Sequence, residues 1–151
     1  MIVSESIQIE RSATDIFEYF ADFTKHHEFI GLLESCSIVT KGDFGLGSQF
    51  IEIGEMLMGG TLRMKSEVTR YEHNSRLTCI SIDGGNQIEQ DFQITELSAE
   101  SCKVTFTTTV TPPKSLFGMA SRMASGLLKP QVEEQMRQDA RTFKEVLERT
   151  V

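Results

Sequence analysis

Hydrophobic and polar residues change period along this chain, and the changes mark out its elements. From Ser4 to Glu10, Ile7 and Ile9 alternate with polar neighbours, the two-residue period of a strand. Ser12-Ala13-Thr14-Asp15 then has the form of a helix start. The serine can cap the amide three residues on, and the acid sits where the helix dipole is positive. Ile16, Phe17, Phe20 and Phe23 continue at helical spacing, and Lys25–Leu33, apolar at Phe29, Leu32 and Leu33, predicts a second short helix. Beyond it the period returns to two. Strands are predicted over Cys36–Thr40, Ser48–Leu57, Thr61–Tyr71, Leu77–Ile82, Gln87–Glu96 and Cys102–Val110. The breaks between them are short and rich in Gly, Asn, Asp and Ser, so consecutive strands should be antiparallel neighbours. Thr111-Pro112-Pro113 ends the last strand, because proline cannot donate to a ladder. Ser115 to Arg149 carries two helical stripes, Leu116/Ala120/Met123/Leu127 and Val132/Met136/Ala140/Phe143/Leu147, with Pro130 between them to kink or split the helix.

This order predicts an α+β domain: a twisted antiparallel sheet of about seven strands, two short helices after strand 1, and a long C-terminal helix. A sheet with one apolar face needs a cover. A helix of ~35 residues at ~1.5 Å each is long enough, at ~50 Å, to lie across it.

The arrangement resembles the helix-grip fold of the START-like superfamily, which includes lipid-transfer START domains, birch-pollen-allergen relatives and the polyketide cyclase/dehydrase family. The resemblance is carried by Ile9–Phe17 followed by Asp22, by Gly47-Ser48-Gln49-Phe50, by Glu67–Glu72 with Arg76-Leu77, and by Phe143–Glu148. It covers nearly the whole chain. Three features depart from it: Phe29 stands where bacterial members often carry tryptophan, His73-Asn74 stands where Pro-Pro is common, and Leu116–Leu127 is rich in Met and Gly. The resemblance implies a ligand cavity between sheet and C-terminal helix. It transfers no catalytic residue, because the family shares no catalytic motif.

Composition narrows the function. One domain over residues 1–151 fits the length. A net charge of −7 argues against a general nucleic-acid binder. The charge is uneven: residues 1–113 hold 8 cations and 17 anions, whereas residues 114–151 hold 7 cations and 5 anions. Cys36, Cys79 and Cys102 form no CxxC and suggest neither zinc binding nor a disulfide framework. With no basic n-region at Met1–Glu5 and no run of ~18 apolar residues, the expected location is the cytoplasm, without stable membrane insertion. The sequence leaves monomer and homodimer both open.

Several motifs have plain readings. Adjacent residues of His26-His27-Glu28 point ~100° apart on a helix, so they read as a solvated face and not a metal cluster; no metal and no cofactor are expected. Gly42–Gly47 precedes a strand, which makes it a hairpin loop and not a phosphate loop. Cys79 reads as a small core residue.

The strand registers say more. Leu62, Met64, Ser66 and Val68 share one face of their strand; Ile88, Gln90, Phe92 and Ile94 share another; Val104, Phe106, Thr108 and Val110 a third. These faces should meet the long helix. Strand Ser48–Leu57 is ambiguous: one register is Phe50, Glu52, Gly54, Met56 and Met58, the other Gln49, Ile51, Ile53, Glu55 and Leu57. Without a bulge, either choice turns one glutamate inward, Glu52 or Glu55, unless that residue ends the strand in water. A buried glutamate would be the best general acid/base candidate in the chain. The expected ligand-lining set is Phe29, Phe50, Met64, Gln90 and Phe92, with Phe106, Thr108, Met123 and Leu127.

The reading is a protein that binds, and in one variant transfers, a small, mostly apolar molecule such as a lipid, polyketide or quinone. Two alternatives stand beside it: a cyclase, dehydratase or hydrolase using the cavity glutamate, and a protein-interaction or chaperone-regulating module. The Met- and Gly-rich segment Ser115–Lys129, set off by Pro130, is a candidate gate; a kinked core helix is the plainer alternative.

Overall fold

The computed structural model describes residues 1–57, 59–83, 85–114 and 116–149, with side chains throughout these except at 82, 83 and 116–125. The elements run β1 (Ile2–Ile9), α1 (Ala13–Ala21), a 3-10 helix (Phe23–Glu28), β2 (Leu33–Ile38), β3 (Gln49–Glu55), β4 (Thr61–Glu72), β5 (Arg76–Asp83), β6 (Asn86–Ser98), β7 (Ser101–Thr111) and α2 (Leu116–Arg149). The strands form one antiparallel sheet in the order β1-β7-β6-β5-β4-β3-β2. β1 and β2 therefore occupy opposite edges, and α1 with the 3-10 helix carries the chain between them. Strand residues outnumber helical ones, as the period-two pattern requires.

Local chemistry fixes the helix ends. The Ser12 hydroxyl accepts from the Asp15 amide at 3.1 Å, capping α1. The Asp22 carboxylate accepts from the Thr24 amide at 3.3 Å and starts the 3-10 helix. That helix is shorter than the expected Lys25–Leu33 helix, and β2 begins at Leu33 and not at Cys36. The reason is tertiary. The Leu32 carbonyl accepts from the Glu55 amide at 2.8 Å, which draws the chain into the sheet before a longer helix can form. Gly54 permits this approach, since a Cβ there would lie 2.3 Å from the Leu32 oxygen.

α2 runs through Pro130 as one helix. The carbonyl that proline leaves without a donor belongs to Gly126, and both residues are exposed, so water can satisfy it. The second half of α2 is fastened over β1. Lys144 Nζ donates to the Gln8 carbonyl at 2.7 Å and to Glu148 at 2.6 Å, and Glu148 accepts from the Glu10 amide at 3.0 Å. Beneath it, Phe143 is fully buried, with Phe29, Phe92 and Phe106 rings 4.8 to 5.8 Å away at steep angles. Phe20 and Phe92 stack at 3.7 Å, joining α1 to the sheet. The gate proposed over Ser115–Lys129 falls largely outside the described side chains.

Candidate functional site

The register of β3 decides the site. Phe50, Glu52 and Gly54 are buried on the covered face, and Ile51 and Ile53 are half-buried on the other. Glu52 is thus the inward glutamate, and Glu55 is exposed at the strand end. Across the ladder Glu52 stands opposite Cys36 of β2 and Met64 of β4. Farther along the sheet, Cys79, Gln90 and Thr108 form one cross-strand row, and Leu77, Phe92 and Phe106 form the next. Polar groups therefore lie beside an apolar strip on one surface.

A cavity of about 280 Å³ lies between this surface, the α1 and 3-10 region, and the second half of α2. Phe20, Phe23, Phe29, Phe92 and Phe106 supply its aromatic walls; Glu52, His26, Cys79, Gln90 and Thr108 supply polar atoms; Val132, Gln135, Met136 and Asp139 close it from α2. Two of its lining residues, Leu57 and Gln90, are exposed. A dry apolar void of this size would cost about 7 kcal/mol, so an open, partly polar cavity that water or a ligand fills is the stable arrangement.

Glu52 is 8% exposed, and its Oε1 has no hydrogen-bond partner among the described residues. Desolvation pushes its carboxyl up to about 7, so near neutrality both its protonated and its ionised forms are within reach. His26 is 3% exposed, and its Nε2 donates to the Phe20 carbonyl at 2.7 Å. Burial pulls its imidazole down to about 4, against the pull of that carbonyl, so it is neutral at pH 7 and Nδ1 carries a lone pair. Burial, with the Glu52 charge adding to it, pushes the Cys36 thiol up to about 12 and the Cys79 thiol higher still. Neither supplies a thiolate nucleophile at neutral pH. Asp139 Oδ1 accepts from the Gly31 amide at 3.0 Å and from Gln135 Nε2 at 2.9 Å, tying α2 to the loop ahead of β2. Desolvation raises its carboxyl above the ordinary range, and these hydrogen bonds oppose the rise.

Such a site can enclose a flat apolar body. It can donate one hydrogen bond from protonated Glu52 to a ligand oxygen, or accept one when Glu52 is ionised. Among the described residues, no group of three or more His, Cys, Asp or Glu is placed to hold a metal.

Of the residues expected to face a ligand, Phe29, Gln90, Phe92, Phe106 and Thr108 line this cavity, as does Glu52. Phe50 and Met64 do not. Phe50 is wholly buried against Phe23, ring centres 4.6 Å apart, and Met64 lies 7% exposed beside Glu52. Leu127 is 78% exposed on the outer side of α2, because Phe143, Leu147 and Ala140 take the covering face. The side chain of Met123 lies outside the described residues. His26 corrects the reading of a solvated helix face, since only its neighbours His27 and Glu28 are exposed. The signal was present: Phe23, Phe29 and Ile30 sit three before, three after and four after His26, which places it on the apolar side of a helical turn. Phe20 and Phe23 were legible as core, but their place at a cavity wall was not.

The chain matches a family model described as "Polyketide cyclase / dehydrase and lipid transport" over residues 1–148. No curated protein sequence matches it. Solved structures do. A START superfamily protein from Mycobacterium smegmatis superposes with a TM-score of 0.77 at 18% identity, covering 99% of each chain. The Zhui aromatase/cyclase from a Streptomyces species superposes at 0.80 with 14% identity, covering 99% of this chain and 94% of that one. A protein from Thermus thermophilus gives 0.70 at 18% identity, with coverage of 99% and 95%. At these identities the likeness shows the fold: a helix-grip, START-like α+β architecture.

Proposed function

Given that the chain belongs to the polyketide cyclase/dehydrase and lipid-transport family, we propose that it is a single domain that binds a small, mostly apolar molecule in the cavity under α2. The ligand is lipid-like, polyketide-like or quinone-like, with an oxygen placed to meet Glu52. One observation carries this reading. Five phenylalanines surround an open cavity whose lining includes Glu52, a buried glutamate whose Oε1 has no protein partner among the described residues. Buried polar atoms are nearly always hydrogen-bonded, so an orphan at a cavity wall is where a ligand or water should bond.

Native mass spectrometry of the purified protein, followed by solvent extraction, tests whether a small molecule travels with it. Titration with 2-naphthol, followed by amide NMR, tests the site. Saturable shifts in β5, β6, β7 and the second half of α2 are expected. Shifts confined to other surfaces would overturn the assignment.

A second reading is favoured by Glu52 itself. A carboxyl whose proton affinity lies near neutrality suits general acid/base catalysis of a cyclisation or dehydration. Glu52→Gln separates the two. Under binding alone the variant keeps 2-naphthol affinity and any transfer function; under catalysis it keeps affinity and loses turnover of a polyketide-type substrate.

A further inference from the structure

A second crevice lies on the other side of Phe23, the residue it shares with the cavity under α2. Its volume is about 350 Å³, and its lining residues include the aromatic Phe17, Phe44, Tyr71 and His73 and the acidic Glu18 and Asp22. The rings stand at steep angles to one another. Phe17 and Tyr71 are 5.3 Å apart at 78°, Phe17 and His73 5.3 Å apart at 63°, and Phe44 and Tyr71 6.4 Å apart at 74°. Rings so arranged meet edge to face and do not stack. The two carboxylates differ. Asp22 is engaged, accepting from the Thr24 amide and from the Thr24 hydroxyl at 2.5 Å, with Lys25 Nζ 3.9 Å away. Lys25 also lies over the Tyr19 ring, 5.9 Å from its centre. Glu18, one helical turn before Asp22, is exposed and has no hydrogen bond or ion pair among the described residues.

We propose that this crevice binds an organic cation, an alkylated ammonium group seated among Phe44, Tyr71 and His73 and neutralised by Glu18. The chemistry selects that class. A fully alkylated ammonium cannot donate hydrogen bonds; aromatic faces attract it through their quadrupole, and an unpaired carboxylate supplies the counter-charge. An anion would meet two carboxylates in the acidic part of the chain, where residues 1–113 carry 8 cations against 17 anions. The crevice shares Phe23 and the α1 and 3-10 region with the cavity, but takes no residue from the β5–β7 surface or from α2.

The test compares choline with its neutral isostere 3,3-dimethylbutan-1-ol by amide NMR. Choline should shift Phe44, Tyr71 and His73 saturably, and the isostere should bind at least ~5-fold more weakly. Glu18→Gln, at an exposed position, should weaken choline by about the same factor and leave the isostere unchanged. Tyr71→Leu, which keeps apolar bulk without the ring, should weaken choline as well. Phosphatidylcholine vesicles present the same group on a lipid; crevice shifts with choline identify a free cation, and shifts with vesicles alone a headgroup. The proposal is overturned if the crevice is silent to both, if choline and its isostere bind equally, or if Glu18→Gln leaves choline affinity unchanged.

Discussion

Replacing Glu52 by glutamine should make the protein more stable at neutral and higher pH, by an amount that follows the proton. In the unfolded chain this carboxyl ionises near 4.5; in the fold, desolvation moves the transition up to about 7. The folded state therefore holds a proton across that window that the unfolded state has released. Stability falls as pH rises through the window, and the full penalty is present above pH 7. At about 1.4 kcal/mol per pH unit the interval amounts to roughly 3–4 kcal/mol. Glutamine fills nearly the same volume and cannot ionise, so the variant escapes the penalty. Urea unfolding of both proteins from pH 4 to pH 8 reads the difference directly. The gain of the variant over the parent should be constant below pH 4.5, grow between pH 4.5 and 7, and level off above. Any offset from the packing of the amide moves the whole curve without changing its slope. His26 titrates in the opposite sense: its lowered affinity removes stability as pH falls from 6.5 towards 4, equally in both proteins, and so cancels. A difference that does not change with pH would refute the buried, uncompensated carboxyl.

Other outcomes follow from the same geometry. Phe143→Ala should cost ~3–5 kcal/mol, because the ring is fully buried among other aromatic rings, while Phe106→Ala, half-buried at the cavity wall, should cost about half as much and change 2-naphthol affinity; equal losses in denaturant unfolding would place Phe106 in plain core. Gly54→Ala should destabilise by at least ~1–3 kcal/mol, since its Cβ would strike the backbone oxygen of Leu32 and not a yielding side chain, and an unchanged urea midpoint would refute that close approach. The imidazole of His26 should stay neutral down to about pH 4 in an NMR titration, and a transition near 6.5 would show that it is not buried against the Phe20 carbonyl.

The strands were legible because the alternation of side chains is a local property of the backbone. β4, β6 and β7 carry most of their apolar residues on one face, as at Leu62, Met64 and Val68, so their registers were legible too. The long C-terminal helix followed from its stripes, and the antiparallel order from short turns.

β3 shows where this reasoning stops. Phe50 on one face and Ile51 and Ile53 on the other satisfy burial almost equally, so its pattern leaves Glu52 and Glu55 interchangeable. The fold decides between them by pairing β3 with β2 and β4 so that Phe50, Glu52 and Gly54 share the covered face, where the missing side chain of Gly54 lets the Leu32 carbonyl reach the Glu55 amide. The same approach shortens the second helix. His26 and Leu127 changed places for a related reason: which side of a helix is covered depends on what lies beside it, and the neighbours come from segments far along the chain. The sequence by itself determined which segments are strands and helices and which faces want burial, because those depend on residues a few positions apart. Only the tertiary structure decided which faces meet, and hence where Glu52, His26 and five phenylalanines surround a cavity, because that depends on chain segments brought together across the whole sheet.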